Sequence, residues 1–94
     1  MSLLALPATL THDEAPACLH QLRQGLGARA TSPVVVDAGA LAHFDSSALA
    51  VLLECRREAE RAARAFSVRG LPPRLRELAT LYGVAGLLPE AATP

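Results

Sequence analysis

The sequence predicts a single small α/β domain with a mixed, partly parallel sheet and about three helices. Two short apolar runs, at residues 3–6 and 34–36, and a segment of alternating polarity at 66–69 are separated by stretches of helical periodicity. About half of the 94 residues are hydrophobic, which allows one core and disfavours long disordered segments. Strands that alternate with helices build parallel sheets through crossovers. We expect one domain over residues 1–94, with 91–94 as a frayed end.

The first strand and helix are predicted before residue 28. Leu3 to Leu6 is apolar and is ended by Pro7, which is typical of a short edge strand. The segment Thr11 to Glu14 has the Thr-x-x-Glu form of a capping box at a helix start. The helix behind it should end at Gly25 or Gly27. Its core face, at a spacing of three and four, comprises Ala15, Cys18, Leu19, Leu22 and Leu26.

The centre of the chain predicts a buried strand followed by a long helix. Val34 to Val36 is β-branched without alternation, the pattern of a central parallel strand that is covered on both faces. The long helix should run from about Ser46 to Ala65. Small residues on its inner side indicate close approach to the sheet. The predicted core face comprises Ala48, Leu52, Cys55, Ala59, Ala62, Ala63 and Phe66.

The last third predicts a strand and a third helix. Phe66 to Arg69 alternates as a short strand that Gly70 ends. Gly83 stands where a helix C-terminal cap belongs. The helix before it should bury Leu75, Leu78, Ala79 and Tyr82, and we expect Leu87 and Leu88 to fold back onto the core.

Composition excludes several functions. Nine basic residues balance nine acidic ones, so the totals give no electrostatic attraction to nucleic acid or to an anionic membrane. The chain has no lysine, which excludes a P-loop and a Schiff base. Cys18 and Cys55 lack partners at metal-ligand spacing and are predicted to be buried thiols. With no basic signal-peptide start and no run of about 20 apolar residues, we expect a cytoplasmic protein without direct membrane insertion.

Residues 44–49 are the most functional-looking segment, because an acid and two hydroxyls stand where a strand meets a helix. A helix start offers unpaired N–H groups, so Ser46 could cap the helix, receive a phosphate or bond a partner. On the side opposite the core, Ser46, Ala50, Leu53 and Arg57 form a stripe that we interpret as a docking surface. The alternative is an ordinary cap beside one exposed leucine. A triad with the nearby His43 is rejected, since neighbouring residues cannot line up as nucleophile, base and orienter.

The segment from Val34 through Leu49, with Phe44-Asp45-Ser46-Ser47-Ala48-Leu49 at its end, resembles the strand, loop and helix start of STAS domains. These include the SpoIIAA-type anti-sigma factor antagonists, which carry Asp-Ser-Ser-Gly-Leu there. The resemblance implies that Ser46 corresponds to the residue that a kinase phosphorylates. Ala48 replaces the glycine of the motif. The chain also starts near the second strand of the family, so the first edge strand should be short or missing and an exposed sheet edge would allow self-association.

Within STAS domains the chain is similar to the MlaB group, through Leu4 to Pro7, the Asp45-Ser46 junction, and Leu78 to Val84 with Leu87 to Pro89. MlaB is a cytoplasmic subunit of an ABC transporter for phospholipids that maintains outer-membrane lipid asymmetry. The resemblance implies a non-enzymatic subunit, without cofactor or metal, that docks on the ATPase MlaF at the inner membrane. The partner-binding residues would be Asp45, Ser46, Ser47, Ala50, Leu53 and Arg57.

Two alternatives to docking are considered. The first is an anti-sigma factor antagonist that binds an anti-sigma factor or kinase and is switched by phosphorylation of Ser46. The second, a hydrolase with Ser46 as nucleophile, is disfavoured because no base or oxyanion arrangement can be named.

Overall fold

The computed structural model describes residues 2–26 and 32–91, and it confirms the predicted α/β fold. A mixed, partly parallel sheet was predicted, whereas every strand pairing in these residues is parallel. The elements, in chain order, are β1 Ser2–Ala5, β2 Thr9–Leu10, α1 Ala15–Leu26, β3 Val34–Asp37, β4 His43–Phe44, α2 Ser47–Arg61, β5 Phe66–Arg69, α3 Pro73–Leu81 and a short 3₁₀ helix at Ala85–Leu87.

The main sheet has the strand order β1-β3-β5, with β3 in the centre. Val34 and Val36 are fully buried and Val35, on the opposite face, is 6% exposed, which confirms a central strand covered on both sides. Strand β1 lies at the edge, as predicted, and Leu3 on it is 47% exposed. Self-association through this edge stays a prediction.

At the other edge of the main sheet, β5 pairs with the last described residues through a parallel bridge between Val68 and Glu90. The Val68 N–H donates to the Pro89 carbonyl at 2.8 Å, and the Ala91 N–H donates to the Val68 carbonyl at 2.8 Å. Ala91, which we expected in a frayed end, is therefore held beside β5. Residues 92–94 of that predicted end lie outside the described residues.

Helix α1 has the predicted start and the predicted core face. Glu14 Oε1 accepts hydrogen bonds from the Thr11 N–H at 2.8 Å and from the Thr11 hydroxyl at 2.6 Å, which is the carboxylate arm of a capping box. Both bonds lower the pKa of Glu14, and the bond from the hydroxyl has the larger effect. The helix ends at Leu26, so the expected stop at Gly25 is wrong and Gly27 lies outside the described residues. Cys18, Leu22 and Leu26 are buried, and Ala15 and Leu19 are half-buried against the core.

Helix α2 is shorter than predicted, because it ends at Arg61 rather than near Ala65. Ala63 has a φ of 55°, in the left-handed region, and its N–H bonds the Glu60 carbonyl at 3.0 Å. This conformation turns the chain off the helix. The predicted burial of Ala62 and Ala63 is therefore wrong, since both are exposed, and Phe66 is half-buried in β5. The rest of the predicted inner face is buried: Ala48, Leu52, Cys55 and Ala59, joined by Leu49 and Val51.

Arg64, which follows this turn, joins α2 to the end of α1. Its guanidinium is nearly buried, at 5% exposure of the residue. It donates to the Leu26 carbonyl at 2.9 Å and to the Ser32 carbonyl at 2.6 Å. A buried arginine needs such partners, because an unpaired charge in the core costs several kcal/mol. Arg64 therefore satisfies a carbonyl at the C-terminus of α1.

Helix α3 ends at the predicted glycine. Gly83 has a φ of 73°, its N–H bonds the Thr80 carbonyl at 3.0 Å, and the Val84 N–H bonds the Ala79 carbonyl at 2.9 Å. This is a Schellman motif, which places Tyr82 at the C-cap. Tyr82 is 58% exposed, so its predicted burial is wrong, since the chain leaves the helix there. Leu75, Ala79 and Leu88 are buried, whereas Leu78 is half-buried and Leu87 is 38% exposed.

Candidate functional site

A second, two-stranded sheet places the two helix starts side by side. Strands β2 and β4 pair in parallel, with Leu10 opposite Phe44. Because the strands run in the same direction, the chain leaves both of them at the same end. One exit leads to the turn before α1 and the other leads to the start of α2. Two-residue strands of this kind leave almost no periodic signal, and the sequence did not predict them.

The Asp45 carboxylate forms hydrogen bonds with the chain that follows each of these two strands. Its Oδ1 accepts a hydrogen bond from the Ser47 N–H at 2.8 Å, and its Oδ2 accepts one from the His12 N–H at 3.1 Å. The Ser47 bond, followed by the His12 bond, lowers the pKa of Asp45, so the carboxylate is ionised at neutral pH. An aspartate that binds a first-turn N–H is a helix cap. Asp45 therefore caps α2 and fixes its start against the turn before α1.

Ser46 is exposed and does not cap the helix with its side chain, contrary to one sequence expectation. Its φ and ψ of −62° and −15° are already helical, whereas a capping serine needs an extended backbone to direct its hydroxyl at the first-turn N–H groups. The Asp45 carboxylate makes the capping bond instead. The Ser46 hydroxyl is therefore on the surface at the beginning of a helix. Ser47 is half-buried, and its hydroxyl bond adds to the lowering of the pKa of Asp45.

The remaining predicted site residues follow the outer side of α2. Ala50 and Arg57 are exposed, and Leu53 is half-buried against the core. Arg57 pairs with Glu54, with 3.3 Å between Arg57 Nη1 and Glu54 Oε1. The helix thus brings the predicted stripe together on one face. Leu53 contributes only part of its side chain to the surface.

Helix α1 adds a neighbouring wall that the sequence did not predict. The outer side of α2 and the adjacent side of α1 form an open apolar groove, here called the Ala50 groove. Leu19 had been assigned to the core, and only its place at the margin of the α1 core face could have indicated this second role. His12 also borders the groove, which is lined by Ala15, Pro16, Leu19, Arg23, Ala50, Val51 and Glu54.

A cleft between the junction and α3 is a second concave feature near Asp45. Its walls include Phe44, Arg74, Leu78 and Leu81. The Arg74 guanidinium lies 5.7 Å from the centre of the Phe44 ring, which is the geometry of a cation–π contact. Leu81 is 78% exposed at its rim. The cleft therefore includes Asp45, which caps α2, and the Ala50 groove includes His12, which bonds Asp45.

The described residues contain neither a metal-ligand cluster nor an exposed thiol. Across residues 2–26 and 32–91 no group of three or more His, Cys, Asp or Glu side chains is arranged to hold a metal ion. In the same part of the chain, none of the helices combines the length and the apolar character needed to cross a membrane. Cys18 and Cys55 are buried, and burial, with a smaller effect of Cys18, raises the pKa of Cys55 to about 12. A thiol with so high a pKa is a poor nucleophile at neutral pH.

Comparison with known proteins gives a family match and two similar folds. A family model described as "Mlab, STAS domain" matches residues 2–89. An anti-sigma-factor antagonist (STAS) domain protein from Planctomyces limnophilus superposes with a TM-score of 0.79 at 18% identity, over 98% of this chain and 82% of that one. Unphosphorylated SpoIIAA, an anti-sigma factor antagonist, gives 0.73 at 21% identity, over 96% and 78%. No curated protein sequence matches the chain.

Proposed function

This chain belongs to the MlaB-type STAS-domain family, and from that premise we propose that it is a non-enzymatic subunit that docks on the ATPase of an ABC transporter. The transporter would move phospholipids and maintain outer-membrane lipid asymmetry, and the partner would be an MlaF-type ATPase. The subunit would sit at the cytoplasmic side of the inner membrane through that complex. It would contribute contacts rather than chemistry.

The observation that supports docking is the outer face of α2. Ser46, Ala50 and Arg57 are exposed on it, and the Ser46 hydroxyl is not used as the helix cap. A hydroxyl at this position can donate to or accept from a partner group without loss of a fold-stabilising bond. The proposed contact residues are Asp45, Ser46, Ser47, Ala50, Leu53 and Arg57.

The test is binding of the purified protein to the MlaF-type ATPase of the same organism. Ser46→Glu places an unpaired charge in the proposed interface, which costs about 3 kcal/mol, or roughly 100-fold in affinity. Ala17→Glu introduces the same charge at an exposed position on α1 that lines none of the grooves, and should bind like the wild type. Equal affinities for Ser46→Glu and the wild type would contradict docking through this surface.

The second candidate is a switch in which Ser46 is phosphorylated, and the exposure of its hydroxyl supports it. A phosphate adds about −1.5 to −2 charge next to the ionised Asp45, which already occupies the Ser47 N–H. The modification would therefore repel rather than order this helix start, and would release a partner such as an anti-sigma factor. Mass spectrometry of the natively expressed protein tests this candidate, and a consistent absence of phosphoserine at Ser46 would reject it.

A further inference from the structure

We propose that the Ala50 groove receives an amphipathic helix of the partner, with an apolar stripe in the groove and an acidic residue at its arginine end. This inference rests on the proposed docking function and deepens it. It widens the contact surface from α2 alone to α1 and α2 together, and it specifies the chemistry of the partner segment.

The lining of the groove favours an apolar occupant. Small side chains at Ala15, Pro16 and Ala50 leave the space between the helices open. Val51, 2% exposed, is buried beneath them, and Leu19 presents part of its side chain at one wall. Apolar surface that remains open to water is stabilised when another apolar surface covers it. The groove continues the outer face of α2, since Ala50 belongs to both.

The walls of the groove determine the form of the occupant. Both walls are α-helices, whose backbone N–H and C=O groups are bonded within each helix beyond the first and last turns. An extended peptide in an apolar groove needs a row of backbone partners, such as a free strand edge, and the backbones of these two helical walls do not offer one. A helix satisfies its own backbone groups. An amphipathic helix is therefore the segment that this groove can bind without buried, unpaired backbone groups.

The charges at one end favour an acidic residue on that helix. Glu54 pairs with two arginines, at 3.2 Å from Arg23 Nη2 to Oε2 and at 3.3 Å from Arg57 Nη1 to Oε1. Two guanidinium groups thus share one carboxylate, and a net positive charge remains. Both arginine side chains are about half exposed, at 49% and 63%, so they remain accessible to a partner carboxylate.

The direction of the two helices places this charge at a defined end of the groove. The turn before α1 contacts the start of α2 through His12 and Asp45, and further along both helices Arg23 pairs with Glu54. The helices therefore run in the same direction. The arginines lie toward their C-terminal halves, and the acidic residue of the partner is expected there.

Binding to the MlaF-type ATPase tests the groove with substitutions at exposed positions. Ala50→Gln on α2 and Pro16→Gln on α1 fill the groove without adding charge, and each should weaken binding about tenfold or more while the thermal unfolding midpoint stays near that of the wild type. Ala17→Gln is the matched control on the far side of α1, and Leu81→Gln is the control at the α3 cleft. Both controls should bind like the wild type.

The charge is tested separately. Arg23→Gln combined with Arg57→Gln should weaken binding several-fold at low salt and reduce its salt dependence, because a partner carboxylate loses both cations. Arg76→Gln on α3, which removes a surface arginine paired with Glu90, should do neither.

The outcomes separate the two proposals. Ala50 belongs to both surfaces, so Pro16→Gln is the variant that distinguishes them. If Ser46→Glu abolishes binding but Pro16→Gln binds like the wild type, the groove inference is wrong and docking on α2 stands. If Leu81→Gln is the variant that loses affinity, the partner covers the α3 cleft and the groove inference is also wrong. If the wild type does not bind the ATPase, both proposals fail.

Discussion

The two faces of helix α2 differ in what they contribute to the protein. On the inner face Ala48 and Leu52 are fully buried and Cys55 is 1% exposed, all in the core that the three helices share with the sheet. On the outer face Ala50 and Arg57 are exposed. Burial of apolar area stabilises the fold, whereas exposed side chains contribute little to it. The outer face can therefore change its contacts without unfolding the domain, and the inner face cannot.

The largest expected effect on stability comes from removing a buried side chain on the inner face of α2. Leu52→Ala should lower the free energy of unfolding by about 2–5 kcal/mol, because it removes buried methyl groups and leaves a cavity. Leu53→Ala, one residue along the helix and half-buried, should lower it by clearly less. Urea denaturation of both variants measures the difference. Equal losses would show that the two faces do not differ as described.

A smaller change in stability, of opposite sign, is expected on substitution of Ala63, just after the end of α2. Ala63 has a φ of 55°, which costs an L-residue with a side chain about 1 kcal/mol. Ala63→Gly should therefore raise the free energy of unfolding by roughly that 1 kcal/mol. Ala62→Gly is the control, because Ala62 has a φ of −92° and gains nothing from glycine. Thermal unfolding of the pair should give a higher midpoint for Ala63→Gly only.

The start of α2 should make stability depend on pH. The folded-state pKa of Asp45 is lowered, so its contribution is complete above the pKa of an unfolded aspartate and is lost as pH falls through the lowered value. The free energy of unfolding should therefore decrease with acidification below about pH 4, where aspartate titrates in the unfolded chain. Asp45→Asn should flatten this decrease, whereas Glu77→Gln, at an exposed position on α3, should leave it in place. An unchanged pH profile in Asp45→Asn would contradict the capping role.

The smallest effect on stability is expected on the outer face. Ala50→Gln should change the free energy of unfolding by no more than about 0.5 kcal/mol, as exposed helical substitutions usually do. Ala48→Gln, two residues earlier on the inner face, should destabilise by about 1–3 kcal/mol or more, since a fully buried alanine leaves no room for a longer polar side chain. Chemical denaturation compares them directly, and similar values would contradict the division into two faces.

The sequence predicted the elements whose signal is local. The unalternating valines of β3, the capping box at Thr11, the core face of α1 and the glycine that ends α3 all depend on residues within a few positions of one another. The end of α2 was missed because the usual local signal, a glycine, is absent there. Helices that end in a left-handed residue usually have glycine there, and this one has Ala63. The burial of Tyr82 was wrong because helical periodicity was extended one residue beyond the helix.

By itself, the sequence determined that α2 has an inner and an outer face, because both follow from 3.6 residues per turn along one segment. Only the tertiary structure decided what adjoins the outer face. The bond between His12 and Asp45 joins residues 33 positions apart, and the Ala50 groove takes its second wall from α1. The two strands that precede these helix starts pair in parallel over two residues each, which is too short to leave a periodic pattern. The docking stripe could therefore be predicted from α2 alone, but the groove beside it could not.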